Sequence, residues 1–240
     1  MTPLLPSLIA AGASYLIWDI AKQKIEYVEW KDSGRSVPVG SLVKPFLAQA
    51  YYEKKGAYPE VICPGGESCW LPRGHGRIGI VDAVAQSCNF YFHRLEVESD
   101  RGEVAGLAQR YGLAVPTEGA SLIGLGPLWR VLPADLARAY QELLLRAKEP
   151  GVRPILRGMA LSANMGTGKG TGGNVLAKTG TAPCVHEPRG SGDGYAMVLY
   201  PADTPRKVVL IQAHNAPGAM AAAHWPAILE TARRKLAWPR

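Results

Sequence analysis

The chain has 240 residues, 47% hydrophobic and 20% charged, a balance that excludes a disordered or fibrous protein and suits one large domain or two small ones. Its 27 Lys and Arg against 20 Asp and Glu leave a net charge of +7, which favours an anionic partner. The basic residues are scattered, clustering only at Arg233-Arg234-Lys235 with no aromatic-basic stripe, so nucleic acid is not expected as a partner.

Leu4 to Trp18 carries no charge, but Pro6, Gly12 and Ser14 interrupt it and no basic residue precedes it. It meets the requirements of neither a secretory signal nor a spanning helix, and reads as a short core helix followed by a strand. Ser14–Asp19 and Lys24–Trp30 are aromatic and β-branched and predict two strands of a hairpin. Gly34 to Gly40 is a loop, and Leu42 to Lys55 predicts a helix ended by Gly56, with Pro45 tolerable in its first turn. Tyr58 to Gly79 is rich in glycine and proline and reads as loop. Val81 to Leu95 has helical spacing broken around Ser87-Cys88-Asn89, and Gly102 to Gly112 predicts another helix.

Pro133 to Lys148 is the clearest helix, with Leu136, Ala139, Tyr140, Leu143 and Leu144 on one face, and Pro154 to Asn164 adds one more. Val175–Ala182, Gly194–Tyr200 and Lys207–His214 predict strands, and Ala221–Leu236 predicts a closing amphipathic helix. The order implies an α+β fold: an antiparallel sheet built from both chain ends, with flanking helices and an inserted all-helical lobe. The sheet lobe is expected at about 1–40 and 171–240, the helical lobe at about 41–170, with a cleft between them.

Chemistry-bearing residues stand in three patterns, Ser41-x-x-Lys44, Ser87-x-Asn89 and Lys178-Thr179-Gly180-Thr181. Ser-x-x-Lys alone is expected about once by chance in a chain this long. At a helix start, however, it places a hydroxyl and an amine on one face, about 5–6 Å apart at Cβ. Ser41 is then a candidate nucleophile near free backbone N–H groups, and Lys44 a base if burial and a second cation, Lys178, lower its pKa. Ser87 can relay a proton and Asn89 can hold a substrate amide. Strand residues Thr179, Gly180 and Thr181 can receive an extended peptide, with the backbone N–H groups of Ser41 and Thr181 as an oxyanion hole.

Other patterns carry less. Ser162-Ala163-Asn164 repeats the second motif out of place, and Gly166-Thr167-Gly168-Lys169-Gly170 lacks the first glycine and the Ser or Thr of a phosphate loop. His75 in Gly74-His75-Gly76 shows no Asp/His partner, and Cys88 reads as a small packing residue. With no Cys-x-x-Cys and no paired Cys/His zinc spacing, neither metal nor cofactor is expected; Cys63 and Cys69 can form a small disulfide loop or remain thiols.

Together the three motifs resemble the penicillin-binding proteins and serine β-lactamases, whose motif set is a known one, most nearly the transpeptidase domain of class B penicillin-binding proteins. The resemblance rests on Gly40-Ser41-Leu42-Val43-Lys44-Pro45-Phe46, on Gly74-His75-Gly76 leading to Ala85-Gln86-Ser87-Cys88-Asn89-Phe90-Tyr91-Phe92, and on Ala177-Lys178-Thr179-Gly180-Thr181-Ala182. Leu132 to Tyr140 is similar to a helix of the family, and the resemblance runs from about Tyr15 to Trp225.

The resemblance implies a serine D,D-transpeptidase acting on peptidoglycan stem peptides ending in D-Ala-D-Ala through an acyl-enzyme at Ser41, with β-lactams acylating the same serine. It implies Lys44 as base, Ser87 and Asn89 in proton transfer and substrate contact, Lys178 as electrostatic support, and Thr179, Gly180 and Thr181 as ligand contacts. It also implies an extracytoplasmic location, with any association with membrane or cell-wall machinery made through segments absent from this chain. The N-terminal anchor and pedestal module usual in the family are not expected within these 240 residues, and the proline-bearing stretch Pro183-Cys184-Val185-His186-Glu187-Pro188 after the third motif is expected to shorten its strand and alter acceptor access.

Alternatives are a D,D-carboxypeptidase, a β-lactamase-type hydrolase, or a non-catalytic β-lactam or peptidoglycan sensor or scaffold. Against a class A β-lactamase, Glu118, Glu142 and Glu149 are followed at the Glu-x-x-x-Asn spacing by Leu122, Arg146 and Arg153. Class D enzymes resemble one another in an apolar residue where Asn89 stands.

Overall fold

A computed structural model describes residues 12–184, 192–236 and 238. The helix expected after Leu4 and most of the stretch from Pro183 to Pro188 lie outside these residues. Strands β1 (Ala13–Asp19) and β2 (Lys24–Glu29) form the expected hairpin. With β7 (Leu176–Ala182), β8 (Asp193–Tyr200) and β9 (Lys207–Ala213) they make one antiparallel sheet in the order β2-β1-β9-β8-β7. The first strand thus pairs with the last, Tyr15 opposite Ile211 and Ile17 opposite Val209, so both chain ends build the sheet.

Side chains alternate between two apolar layers, as the strand period of two requires. Leu16, Met197, Leu199, Val208 and Leu210 face the central helices. Tyr15, Ile17, Val198, Val209 and Ile211 face the C-terminal helices, against Trp225, Ile228 and Ala232. This two-sided burial explains why the central strands read as nearly continuous apolar runs. The strand ends are fastened by Lys207, whose Nζ lies 2.6 Å from Asp19 Oδ2 and 2.7 Å from Glu26 Oε2.

The insert between β2 and β7 carries α1 (Lys44–Lys55), α2 (Ile80–Ala85), α3 (Asn89–Glu98), α4 (Arg101–Arg110), α5 (Pro133–Leu145) and α6 (Val152–Met165). Helix α1 is buried continuously from Lys44 to Tyr51. Helices α2 and α6 touch at Gly158, where a Cβ would lie 2.6 Å from both Val81 O and Val84 Cβ. Gly158→Val is therefore expected to overpack this contact and cost about 1–3 kcal/mol, seen as a lower thermal midpoint in a melt.

Two expectations need correction. The Tyr58–Gly79 stretch contains a small hairpin, β4 (Val61–Cys63) paired with β5 (Gly76–Ile78). These three-residue strands are too short to show a period. The closing helix is two, α7 (Gly218–Ala223) and α8 (Trp225–Leu236), because Pro226 has no N–H to continue the ladder and its ring crowds the carbonyl one turn back. The shortest pairing, β3 (Val37–Pro38) with β6 (Arg130–Val131), leads directly into the Ser41 turn.

Candidate active site

Ser41 does not begin an α-helix. It lies in a 3-10 turn, Gly40–Val43, with α1 starting at Lys44. Pro45 supplies the reason: it cannot donate to the Ser41 carbonyl, which accepts instead from the Lys44 N–H one residue earlier. The turn is held from below by Tyr140 on α5, whose buried hydroxyl donates to Leu42 O at 2.8 Å. Phe46 packs edge-on to the rings of Tyr140 and Tyr111, each at 5.3 Å between centroids. The family-like helix seen in the sequence is thus the floor of the Ser41 turn.

Beside this turn runs β7, the outermost strand on its side of the sheet. Gly180 lets the two backbones close together, since a Cβ there would sit 3.0 Å from Val39 O and 3.1 Å from Ser41 N. Helices α2 and α3 meet at Ser87, which takes a left-handed φ of +51° unusual for a non-glycine residue. Ser41, Ser87, Asn89, Thr179, Gly180 and Thr181 all line a cleft of about 540 Å³.

Lys44 and Lys178 are both fully buried and meet at Ser87. Lys178 Nζ donates to Ser87 Oγ and to Thr179 O, each at 2.7 Å. Lys44 Nζ lies 3.5 Å from the same Oγ and donates to Ser87 O at 2.9 Å and Asn89 Oδ1 at 2.6 Å. Burial pushes the Lys44 amine down to about 7. Burial also depresses Lys178, and the neighbouring Lys44 charge adds to it. A neutral Lys44 has two N–H bonds, matched by Ser87 O and Asn89 Oδ1, and a lone pair left for a proton.

Two expected contacts differ. Among the described residues no hydrogen bond joins Ser41 to Lys44; the amine turns to the α2–α3 junction because two acceptors there satisfy it. Asn89 spends its carbonyl oxygen on Lys44, leaving only its amide N–H₂ for a ligand.

No family model matches the sequence, and no curated protein matches it. Solved structures do match. A structure of Pseudomonas aeruginosa PBP2 in complex with WCK 5153 aligns over 93% of this chain and 71% of its own, with TM-score 0.77 and 16% identity. The D,D-transpeptidase domain of a peptidoglycan glycosyltransferase from Eggerthella lenta aligns over 93% and 78%, with TM-score 0.75 and 15% identity. Helicobacter pylori PBP2, in its complex with MreC, aligns over 93% of this chain but 61% of its own, with TM-score 0.77 and 14% identity.

The fold is that of a penicillin-binding protein transpeptidase domain.

Within this transpeptidase fold, several cleft residues escaped the sequence reading. Thr167 accepts from Thr179 Oγ1 at 2.6 Å, and Lys169 lines the same cleft. The segment rejected as a phosphate loop therefore forms a cleft wall. Trp70, Leu125 and Met165 give that cleft an apolar rim, each about half exposed or more. Pro217 and Gly218 close the far end, where the Gly218 N–H donates to Thr181 Oγ1 at 3.0 Å. Single exposed apolar side chains leave no mark in sequence, so nothing short of the fold could have selected them. His75 stands apart from the cleft polar groups, beside Cys63 and Cys69.

Proposed function

We propose that the protein is a serine D,D-transpeptidase that binds peptidoglycan stem peptides ending in D-Ala-D-Ala. The observation carrying this reading is the convergence of two buried lysines on Ser87 Oγ, in a cleft that also holds Ser41 and the free edge of β7. The donor peptide adds to β7 as an extra strand along Thr179 to Thr181. Ser41 Oγ attacks the carbonyl carbon of the penultimate D-Ala, and the Ser41 proton passes to neutral Lys44. The backbone N–H groups of Ser41 and Thr181 stabilise the oxyanion.

The peptide C–N bond then breaks. A proton from Lys44 reaches the leaving D-Ala amine through Ser87, and Lys178 steadies that hydroxyl. An amine of a second stem peptide attacks the acyl-enzyme, forming the crosslink and freeing Ser41. β-Lactams open on the same serine. Such substrates place the domain outside the cytoplasmic membrane, and cell-wall machinery is the partner class, as the MreC complex is for the Helicobacter pylori protein.

Incubation with a labelled penicillin followed by a denaturing gel tests the nucleophile. Wild type is expected to carry a covalent label and Ser41→Ala none. Label surviving in Ser41→Ala, or no label on folded wild type, would overturn the assignment. Product analysis with an added amine acceptor then separates crosslinking from hydrolysis.

A further inference from the structure

Cys63, Cys69, His75 and Cys88 come from four places in the chain, and their ligand atoms all lie within 4.8 Å of one another. Cys63 ends β4, Cys69 follows the 3-10 turn Gly66–Ser68, His75 precedes β5, and Cys88 caps α3. Cys69 Sγ and Cys88 Sγ are 3.8 Å apart. His75 Nδ1 is 3.5 Å from Cys69 Sγ and 3.6 Å from Cys63 Sγ. A tetrahedral zinc with Zn–S near 2.3 Å and Zn–N near 2.0–2.1 Å has edges of about 3.8 Å between sulfurs and about 3.5 Å between sulfur and nitrogen. These three separations match those edges.

All three cysteines are buried. Among the described residues the buried His75 Nε2 has no hydrogen-bond partner, the ring packs edge-on to Trp70, and its Nδ1 faces sulfur. We infer that Cys63, Cys69, His75 and Cys88 bind one zinc ion in a closed Cys₃His site that clamps the Ser87–Asn89 turn. Three thiolates and an imidazole suit a soft tetrahedral metal, and four protein ligands leave no open position, which makes the role structural. A disulfide is the poorer fit, because any one pairing leaves a third buried thiol and His75 unused. Binding releases the thiol protons and forms four metal–ligand bonds, with no change of oxidation state.

The clamp sits between the two residues that handle the lysines. Cys88 Sγ also accepts from the Tyr91 N–H at 3.5 Å, so the metal would fix both the start of α3 and the left-handed Ser87. The metal site stands on its own geometry; its coupling to acylation rests on the proposed function. The sequence concealed it because the ligands are spaced Cys-x₅-Cys-x₅-His-x₁₂-Cys, with no short Cys pair.

The 240-residue chain purified with zinc and a mild reductant is expected to hold about one zinc per chain, and its cobalt-substituted form to show intense tetrahedral thiolate bands. Cys63→Ser and His75→Ala should lose the metal, and Cys184→Ser should keep it. Less than about a tenth of an equivalent, a weak octahedral cobalt spectrum, or a Cys69–Cys88 disulfide in the native protein would each overturn the site. The cobalt spectrum is read on wild type, so it decides even if a variant fails to fold. Removing zinc with a chelator should slow penicillin acylation roughly tenfold to a hundredfold through misplacement of Ser87. Bound zinc whose removal leaves acylation unchanged overturns the coupling alone. Bound zinc with no acylation of the holoprotein overturns the proposed function and leaves the site standing.

Discussion

Lys44→Met is expected to lower the rate of β-lactam acylation by roughly 10²- to 10⁴-fold, the usual range for loss of a positioned proton acceptor. Methionine is unbranched and apolar and fills much of the same buried space beside Phe92, over whose ring Lys44 Nζ now sits at 5.2 Å. The loss should therefore appear in acylation and not in the far-ultraviolet signature of the fold. The pH profile gives the sign independently. Burial lowers the Lys44 amine to about 7, and only its neutral form accepts the Ser41 proton. Acylation by wild type should rise through about pH 7 as that proton leaves and flatten above it. The Met variant should lose this limb. A wild-type rate that falls as pH rises through neutrality, measured by stopped-flow with a chromogenic cephalosporin, would remove Lys44 from the base role.

Gly40→Ala is the second large effect. Gly40 has φ +54°, and a Cβ there would lie 2.5 Å from Thr181 O and 2.9 Å from Thr181 N. Both contacts are with strand backbone, which cannot swing away as a long side chain can. The left-handed conformation alone costs an alanine about 1 kcal/mol or more, and the clash must be relieved by parting the Ser41 turn from β7. A displacement near 1 Å between nucleophile and oxyanion donors costs roughly a hundredfold in rate. The expected result is a folded, less stable protein with acylation slowed about that much. Acylation within twofold of wild type, measured on protein with a cooperative melt, would show that the Ser41 and β7 backbones need not approach so closely.

Much of the fold was legible because its signals are local. Period-two alternation, apolar runs and aromatic content marked all five strands of the main sheet, and the 3.6 period on Leu136, Tyr140 and Leu143 marked α5. The split between α7 and α8 was readable from Pro226 but was masked by the amphipathic pattern on both sides of it. The hairpin of β4 and β5 was not readable, since each strand has three residues and owes its existence to the loop it closes.

For the candidate site, the order of Ser41, Lys44, Ser87, Asn89 and Lys178 along the chain pointed to one cleft; Ser41, Ser87 and Asn89 line it, and Lys44 and Lys178 lie buried behind Ser87. What each amine touches was not legible. Helical spacing suggested Lys44 beside Ser41, but the side chain follows its best acceptors, Ser87 O and Asn89 Oδ1, and those are brought by the α2–α3 junction. His75 and the cysteines show the same limit more sharply. No spacing rule joined them, yet the β4–β5 hairpin with its loop and the start of α3 bring their ligand atoms to within 4.8 Å.

The sequence by itself determined most of the elements, the antiparallel sheet made from both chain ends and the candidate reactive groups, because periodicity, turn chemistry and side-chain type are properties of short segments. Only the tertiary structure decided the burial that lowers both lysines, the turn that holds Ser41 and the meeting of three thiols with an imidazole. Those depend on burial and on distances between residues far apart in the chain, and a linear pattern specifies neither.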